Sequence, residues 1–208
     1  MVVYLVIKFF CDNKKINMNI SISIMAHPSR KEFFTYLKER LGDVPISIDE
    51  GCGIWENCKQ DWRLHDPKAD YHIVIQDDAI VCDNFIELAT KAITDGKEKG
   101  CVTSLFFGKR KLLQDIAEKG IKDGFVIRDM LHWGIAVCLP VNLIEEMISY
   151  GNTKNIDQDD TRISYFLQSK KIKIYYPIPS LIDHRHGESL VKDPGKFRSA
   201  YKYIDEKK

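Results

Sequence analysis

Short apolar runs, separated by amphipathic stretches of helical period, set the frame of this 208-residue chain. Asn19-Ile20-Ser21-Ile22-Ser23-Ile24-Met25 alternates polar and apolar residues, the period-two mark of a strand. Ala26-His27-Pro28-Ser29-Arg30 interrupts it as a loop, because proline disfavours the helical region for the residue before it. Ser29 is placed to cap a helix in which Phe33 or Phe34, Leu37 and Leu41 recur at helical spacing, and Gly42 ends it. Val44 to Ile48 predicts a second strand, leaving through Asp49-Glu50-Gly51, and 54–65 a helix carrying Trp55 and Trp62. Ile73-Val74-Ile75 is β-branched and wholly apolar, as a strand buried on both faces must be, and its strand ends in Asp77-Asp78.

The second half continues the alternation. Asp83 is placed to cap a helix whose Phe85, Leu88, Ala89 and Ala92 share one face. Residues 101–107 predict a strand, the lysine-rich stretch 108–124 a helix around Leu112, Leu113 and Ile116, and 125–131 an extended segment. A buried strand is expected over 135–139, and Pro140 suits the first turn of a helix bearing Val141, Ile144 and Ile148. Asp157 to Asp160 opens a last helix with Ile163, Phe166 and Leu167 inward, before a strand over 172–176. Strands alternating with helices predict an α/β fold, a mixed, mostly parallel central sheet flanked by helices on both faces. Residues 18–190 read as one domain, 1–17 as an amino-terminal appendage and 191–208 as a polar, loosely held tail.

Composition narrows the partners. Lys plus Arg number 31 and Asp plus Glu 30, which gives no reason to expect nucleic acid or an anionic membrane surface. The apolar run Met1–Phe10 is too short to span a bilayer, so no stable membrane insertion is expected. It reads as an edge strand, a peripheral anchor or an upstream extension, and the chain as a whole protein or part of a longer multidomain polypeptide. None of the six cysteines forms a CxxC pair or stands at zinc spacing, which points to free thiols, a reducing compartment and a cytoplasmic location. Neither GxGxxG nor GxxxxGK[ST] is present, against a Rossmann dinucleotide site or a P-loop.

Three clusters carry the candidate chemistry: Asp77-Asp78, Asp157 to Asp160, and Asp183-His184-Arg185-His186. Ligands of open α/β sheets collect beyond the carboxyl ends of the strands, where Asp77-Asp78 would stand, although Asp-Asp also suits a surface turn. Carboxylates with one imidazole suit Mn²⁺ or Mg²⁺, whose natural partner is a diphosphate leaving group.

Asp77-Asp78 after an apolar strand resembles the DxD-type motif of GT-A glycosyltransferases, and Pro179-Ser180-Leu181-Ile182-Asp183-His184 resembles the late Pro-Ser-Leu-x-x-His element of that fold. Trp133-Gly134-Ile135-Ala136-Val137 followed by Asp159-Asp160 is similar to the segment between them. The whole run, residues 18–190, is most similar to small GT-A domains of phages and large algal viruses, including the amino-terminal domain of chlorovirus capsid-glycosylating enzymes. The resemblance implies a GT-A fold and a metal-dependent transfer of a hexose from a UDP-sugar, UDP-glucose or a UDP-rhamnose-like donor, to a glycan hydroxyl. It further implies viral capsid glycoprotein glycosylation in a host cytoplasm, and retention of configuration. Asp78 and His184 would hold Mn²⁺ (or Mg²⁺), with His186 the rival for His184. Asp77 would meet the ribose or a metal-bound water; the motif reads Gln76-Asp77-Asp78, so Asp78 carries most of the metal duty. His27 and Arg30 would border the nucleotide and its phosphates, Asp49 and Arg63 the uracil or ribose, and Trp133 and Gly134 the sugar or acceptor. Asp159 or Asp160 would act as general base or orient the acceptor.

Plainer readings stand beside these. His27 also reads as a turn cap, Trp55 and Trp62 as core, and Arg30 and Arg63 as solvated charges. Asp157, Asp159 and Asp160 also fit a helix start, where carboxylates complement the dipole. Two other functions remain as alternatives. A sugar-phosphate nucleotidyltransferase would need a glycine-rich loop after the first strand, and 25–30 contains no glycine. A non-catalytic nucleotide-sugar-binding module would have no need of Asp77, Asp78, Asp160 and His184 together.

Overall fold

The computed structural model describes residues 18–109, 124–185 and 199–205. The expected appendage 1–17, the helix around Leu112 and His186 lie outside the described residues. In chain order the elements are β1 (Ile20–Ala26), α1 (Lys31–Leu41), β2 (Ile46–Ile48), α2 (Ile54–Trp62), β3 (Tyr71–Gln76), β4 (Ala79–Val81) and α3 (Phe85–Glu98). There follow β5 (Cys101–Ser104), β6 (Gly124–Arg128), β7 (Ala136–Pro140), α4 (Ile144–Asn152), α5 (Asp159–Ser169), β8 (Lys173–Ile178) and β9 (Ile182–His184).

Seven strands form one sheet in the order β2-β1-β3-β7-β5-β8-β6. β2, β1, β3, β5 and β8 run the same way, while β7 and the edge strand β6 run against them. The fold is therefore α/β with a mixed, mostly parallel sheet, as the alternating pattern predicts. Ile73 and Ile75 of β3 face a core shared with Leu37 and Leu41 of α1 and Phe85, Ala89 and Ile93 of α3. Val74, between them, faces the opposite core with α2, α4 and α5. Helices on both faces are why β3 tolerates no polar residue between Ile73 and Ile75; each such side chain contributes roughly 1.5–3 kcal/mol by burial.

The alternation in β1 has a different cause from a solvent-facing side. Ser21 and Ser23 are buried and point towards β3, where Oγ of Ser21 lies 2.8 Å from Nδ1 of His72 and Oγ of Ser23 lies 2.9 Å from Nε2. Trp62 meets His72 edge-on at 5.8 Å, and both tryptophans of α2 are core residues, Trp55 also donating from Nε1 to Oδ1 of Asn152.

Several local expectations need correction. Asp83 does not cap α3: the cap position is Asn84, in a left-handed backbone (φ 52), and the Asp83 carboxylate instead pairs with Arg40. The tail is not loose at 199–205. Ala200 is buried, the Tyr201 N–H donates to the Phe107 carbonyl at 2.8 Å, and the Ser180 N–H donates to Lys202 at 2.8 Å. Two short strands escaped the pattern, β4 and β9, which pair antiparallel as a ribbon beside the main sheet. No helix among the described residues is long and apolar enough to cross a membrane.

Candidate functional site

The carboxyl end of β3 carries Gln76, Asp77 and Asp78 out of the sheet, and the loop after β1 runs beside it. That loop tightens into a 3-10 turn, Pro28–Arg30, entered at His27, whose ring Nδ1 is 2.7 Å from Ser29 Oγ and accepts from the Ser29 N–H. His27 thus caps the turn with its side chain and reaches the site with its backbone, the N–H donating to Asp77 Oδ2 at 2.8 Å. The turn delivers Arg30. Its Nη1 lies 2.9 Å from Asp77 Oδ1 and 2.7 Å from Asp78 Oδ2.

The ribbon supplies the other side. Ala79 is paired with His184, so the residue after Asp78 is held in register with the histidine, and the Arg185 N–H donates to the Asp78 carbonyl at 2.8 Å. His184 Nε2 stands 3.2 Å from Asp78 Oδ2, out of line for a hydrogen bond. Both ring nitrogens of His184 and Oδ1 of Asp78 are sealed from solvent with no hydrogen-bond partner among the described residues, as is Nε of Arg185. The Arg185 guanidinium lies 4.2 Å over the Tyr36 ring and 5.2 Å over Phe33, which also carries Arg30 at 5.9 Å. Arg30 and His184 therefore stand against the carboxylate pair, and Arg185 against the aromatic rings beside it.

Environment separates the two acids. Burial raises Asp77, the Asp78 charge raises it further, and the His27 N–H and Arg30 only partly offset this, so its pKa lies above the ordinary value. Burial also works against ionised Asp78, but His184 and Arg30 together outweigh it and hold the pKa below the ordinary value. Asp78 is the stronger acid of the pair.

Gln76 links this cluster to a second one. A methyl group on Gly134 would lie 3.6 Å from Asp160 Cβ, 3.7 Å from Gln76 Nε2 and 3.8 Å from Asp159 Oδ2. Gly134, Asp159 and Asp160 are thus assembled at the β3 exit. The two acids occupy the first turn of α5, whose cap position is Gln158, and neither is the cap residue. Asp159 keeps part of its surface accessible as a residue, but its carboxyl group is enclosed beside the Cys58 thiol and the first-turn amides. Burial, then the neighbouring Asp160, pushes its pKa up to about 6. A carboxylate tuned that near neutrality suits proton transfer.

Trp133 has φ 61, a backbone region that bulky residues rarely occupy. Its ring lies against Gly108, where a methyl group would approach Cζ3 to 2.0 Å, and meets Phe106 edge-on at 6.1 Å. It is half-buried, one part of it serving the core. Asp49 Oδ1 accepts from the Gly51 and Gly53 N–H groups at 3.0 and 3.1 Å, which shapes the loop into α2. Burial opposes its charge, but these bonds leave its pKa lowered.

Arg63 is not brought to this site. It follows the nine residues of α2, roughly 13 Å of helix, which carry the chain from one sheet edge back to the other. There its exposed guanidinium binds Glu145 with Nε–Oε1 at 2.9 Å and Nη2–Oε2 at 3.1 Å. Glu145 follows β7, whose Pro140 is paired with Tyr71 at the start of β3. Asp183, of the same late cluster as His184, is also engaged elsewhere, accepting from the Ala200 N–H at 2.8 Å. Arg185 is the gain: its only sequence signal was its place beside His184.

Among the described residues no group of three or more His, Cys, Asp or Glu side chains is arranged to hold a metal ion. The available donors are buried Asp78 and part-buried His184, whose ring nitrogens, like Asp78 Oδ1, make no hydrogen bond among the described residues. That small set fits an ion of the Mg²⁺ type, which is held through one or two protein oxygens and completed by phosphate oxygens and water. No protein-family model matches the chain, and no curated protein matches it in sequence.

Proposed function

We propose that this protein is a nucleotide-sugar-dependent glycosyltransferase of GT-A-like fold, moving a hexose from a UDP-sugar to a glycan hydroxyl. The observation that carries the reading is the Asp78–His184 pair, with solvent-sealed atoms lacking a hydrogen bond, beside Arg30 at the carboxyl end of β3. The α/β sheet supports it, since ligands of such sheets bind beyond the strand ends. So does the order of Asp77-Asp78, Trp133-Gly134, Asp159-Asp160 and Pro179 to His184 along the chain. The viral capsid acceptor and retention of configuration rest on the resemblance alone.

Asp78 and His184 would hold Mn²⁺ or Mg²⁺, which when bound supplies positive charge to a departing diphosphate. Arg30 and Arg185 would bind the same diphosphate, and fixed guanidinium groups at a developing anion cost no reorganisation during reaction. His27 holds Asp77 in place through its backbone. Gly134 leaves room for close approach of a sugar between Gln76 and Asp159, and Trp133 walls the same side. Asp159 would take the acceptor proton in an inverting reaction, or orient the acceptor hydroxyl in a retaining one. The Asp49 loop would border the base or ribose through its backbone.

The test is a screen of UDP-, GDP- and CMP-sugars for Mn²⁺-dependent hydrolysis, with calorimetric titration of UDP. Hydrolysis of one UDP-sugar, lost on adding EDTA, is expected. Pyrophosphate release from UTP and a sugar phosphate would replace the reading with nucleotidyl transfer. UDP binding without turnover of any donor would replace it with a binding module.

A further inference from the structure

One cationic nitrogen, Arg30 Nη1, already occupies the notch between the two carboxylates, 2.9 Å from Asp77 Oδ1 and 2.7 Å from Asp78 Oδ2. The same Asp78 Oδ2 is the oxygen that His184 Nε2 approaches to 3.2 Å without a hydrogen bond. An oxygen-bound divalent cation lies about 2.0–2.6 Å from its ligands. A cation shared by Asp78 Oδ2 and His184 therefore shares its carboxylate oxygen with Nη1 and lies within about 5 Å of that positive charge. Asp78 is buried, so water screens this repulsion poorly. A guanidinium and a dication cannot both be content there without added negative charge.

The structure also provides somewhere for the arginine to turn. Phe33 presents its ring to Arg30 at 5.9 Å and to Arg185 at 5.2 Å, so both guanidiniums already border one aromatic ring. A diphosphate bound between them would offer Arg30 oxygens in exchange for those of Asp77 and Asp78, with the bidentate geometry guanidinium favours.

We propose that Arg30 couples cation binding to diphosphate binding: alone it stands in for the divalent cation between Asp77 and Asp78, and a nucleoside diphosphate restores the cation's affinity by drawing the guanidinium onto its own oxygens. This rests on the reading of the site as one for a cation and a diphosphate. Arg30 is a positioning residue in this role. By linkage, the cation and the nucleotide raise each other's affinity by the same factor, and a nucleoside monophosphate, with one phosphate fewer, does so less. The free protein then holds little divalent cation, and the site fills only as a pair.

The experiment measures Mn²⁺ binding, by loss of the free-ion paramagnetic resonance signal, to wild type, Arg30→Met and Arg30→Lys, each with and without UDP and with no sugar donor present. Wild type is expected to bind Mn²⁺ at least roughly tenfold more tightly with UDP than without. Arg30→Met should bind Mn²⁺ alone at least roughly tenfold more tightly than wild type alone, and gain little from UDP. Arg30→Lys, which keeps the charge, should resemble wild type. The proposal is overturned if Arg30→Met binds Mn²⁺ alone no better than wild type, while UDP still aids wild type; the cation–diphosphate reading then survives. If no form binds Mn²⁺ with or without UDP, both fall. Should Arg30→Met not fold, wild type that binds Mn²⁺ equally well with and without UDP overturns the proposal by itself.

Discussion

Asp61 and Asp78 are both buried acids, one on α2 under the sheet and one at the exit of β3, and their surroundings act on charge in opposite directions. Asp61 is fully enclosed, neither carboxyl oxygen has a hydrogen-bond partner, and burial pushes its pKa well above the ordinary value. Its neighbours are the neutral groups of Ser23, Ser47 and Cys58, with His72 bound to the same Ser23. Asp78 has Arg30 and His184 at contact distance and stays ionised. Neutral polar groups sealed inside the sheet hold its layers together. Charged groups gathered at a strand exit are what the proposed ligand would meet.

Substitutions can break that contrast. The largest effect is expected from Asp78→Asn, which should lower Mn²⁺-dependent UDP-sugar hydrolysis about 10²–10³-fold while leaving the unfolding midpoint near wild type. A variant that turns over normally would remove Asp78 from the reading. His72→Ala should do the reverse, because it deletes a ring bound at both nitrogens and leaves a cavity. A loss of about 3 kcal/mol in denaturant unfolding is expected, with UDP affinity in the presence of Mn²⁺ unchanged.

Acid and base then separate the two sealed groups. Burial, followed by nearby His65, lowers the His72 pKa from 6.5 to about 3, so the unfolded chain binds the proton first. Stability is complete above pH 6.5 and lost as pH falls towards 3, by about 3 kcal/mol at pH 4 on this group alone. Asp61, raised, works the other way: the unfolded chain ionises first, and stability declines as pH rises above the ordinary carboxyl value. Asp61→Asn should accordingly raise the midpoint of unfolding at pH 8 and change it little at pH 4. A midpoint unchanged at pH 8 would mean that Asp61 is not carrying that penalty. The smallest effect is expected from Arg63→Ala, an exposed ion pair worth less than about 1 kcal/mol and remote from the carboxylates. Weakened UDP binding in that variant would contradict the placement of Arg63 at the far edge.

Much of this architecture was legible in periodicity. The apolar triplet Ile73 to Ile75 announced a strand covered on both faces, and Ile163, Phe166 and Leu167 announced the buried side of α5. What spacing cannot express is where a side chain ends up after the chain reverses. The resemblance would set Arg63 with Asp49 at the uracil or ribose, yet α2 places them at its opposite ends. The alternation in β1 announced a strand but not the partner of its serines, which is His72, fifty-one positions from Ser21. Residues 199–205 read as a tail because their anchors, Phe107, Ser180 and Asp183, lie far earlier in the sequence. β4 and β9 have three residues each, too few for any periodic signal, and exist because they pair with one another.

That ribbon makes the site sensitive to chain length more than to side-chain chemistry. Ala79, Ile80 and Val81 are matched one to one with His184, Asp183 and Ile182, and strand side chains change face at every step. Deleting a single residue between Leu181 and Asp183 would leave the backbone ladder almost intact. It would also turn the imidazole away and bring the Arg185 position opposite Ala79. The histidine beside Asp78 is thus specified by counting: the ribbon works as a ruler whose zero is the residue after the acid.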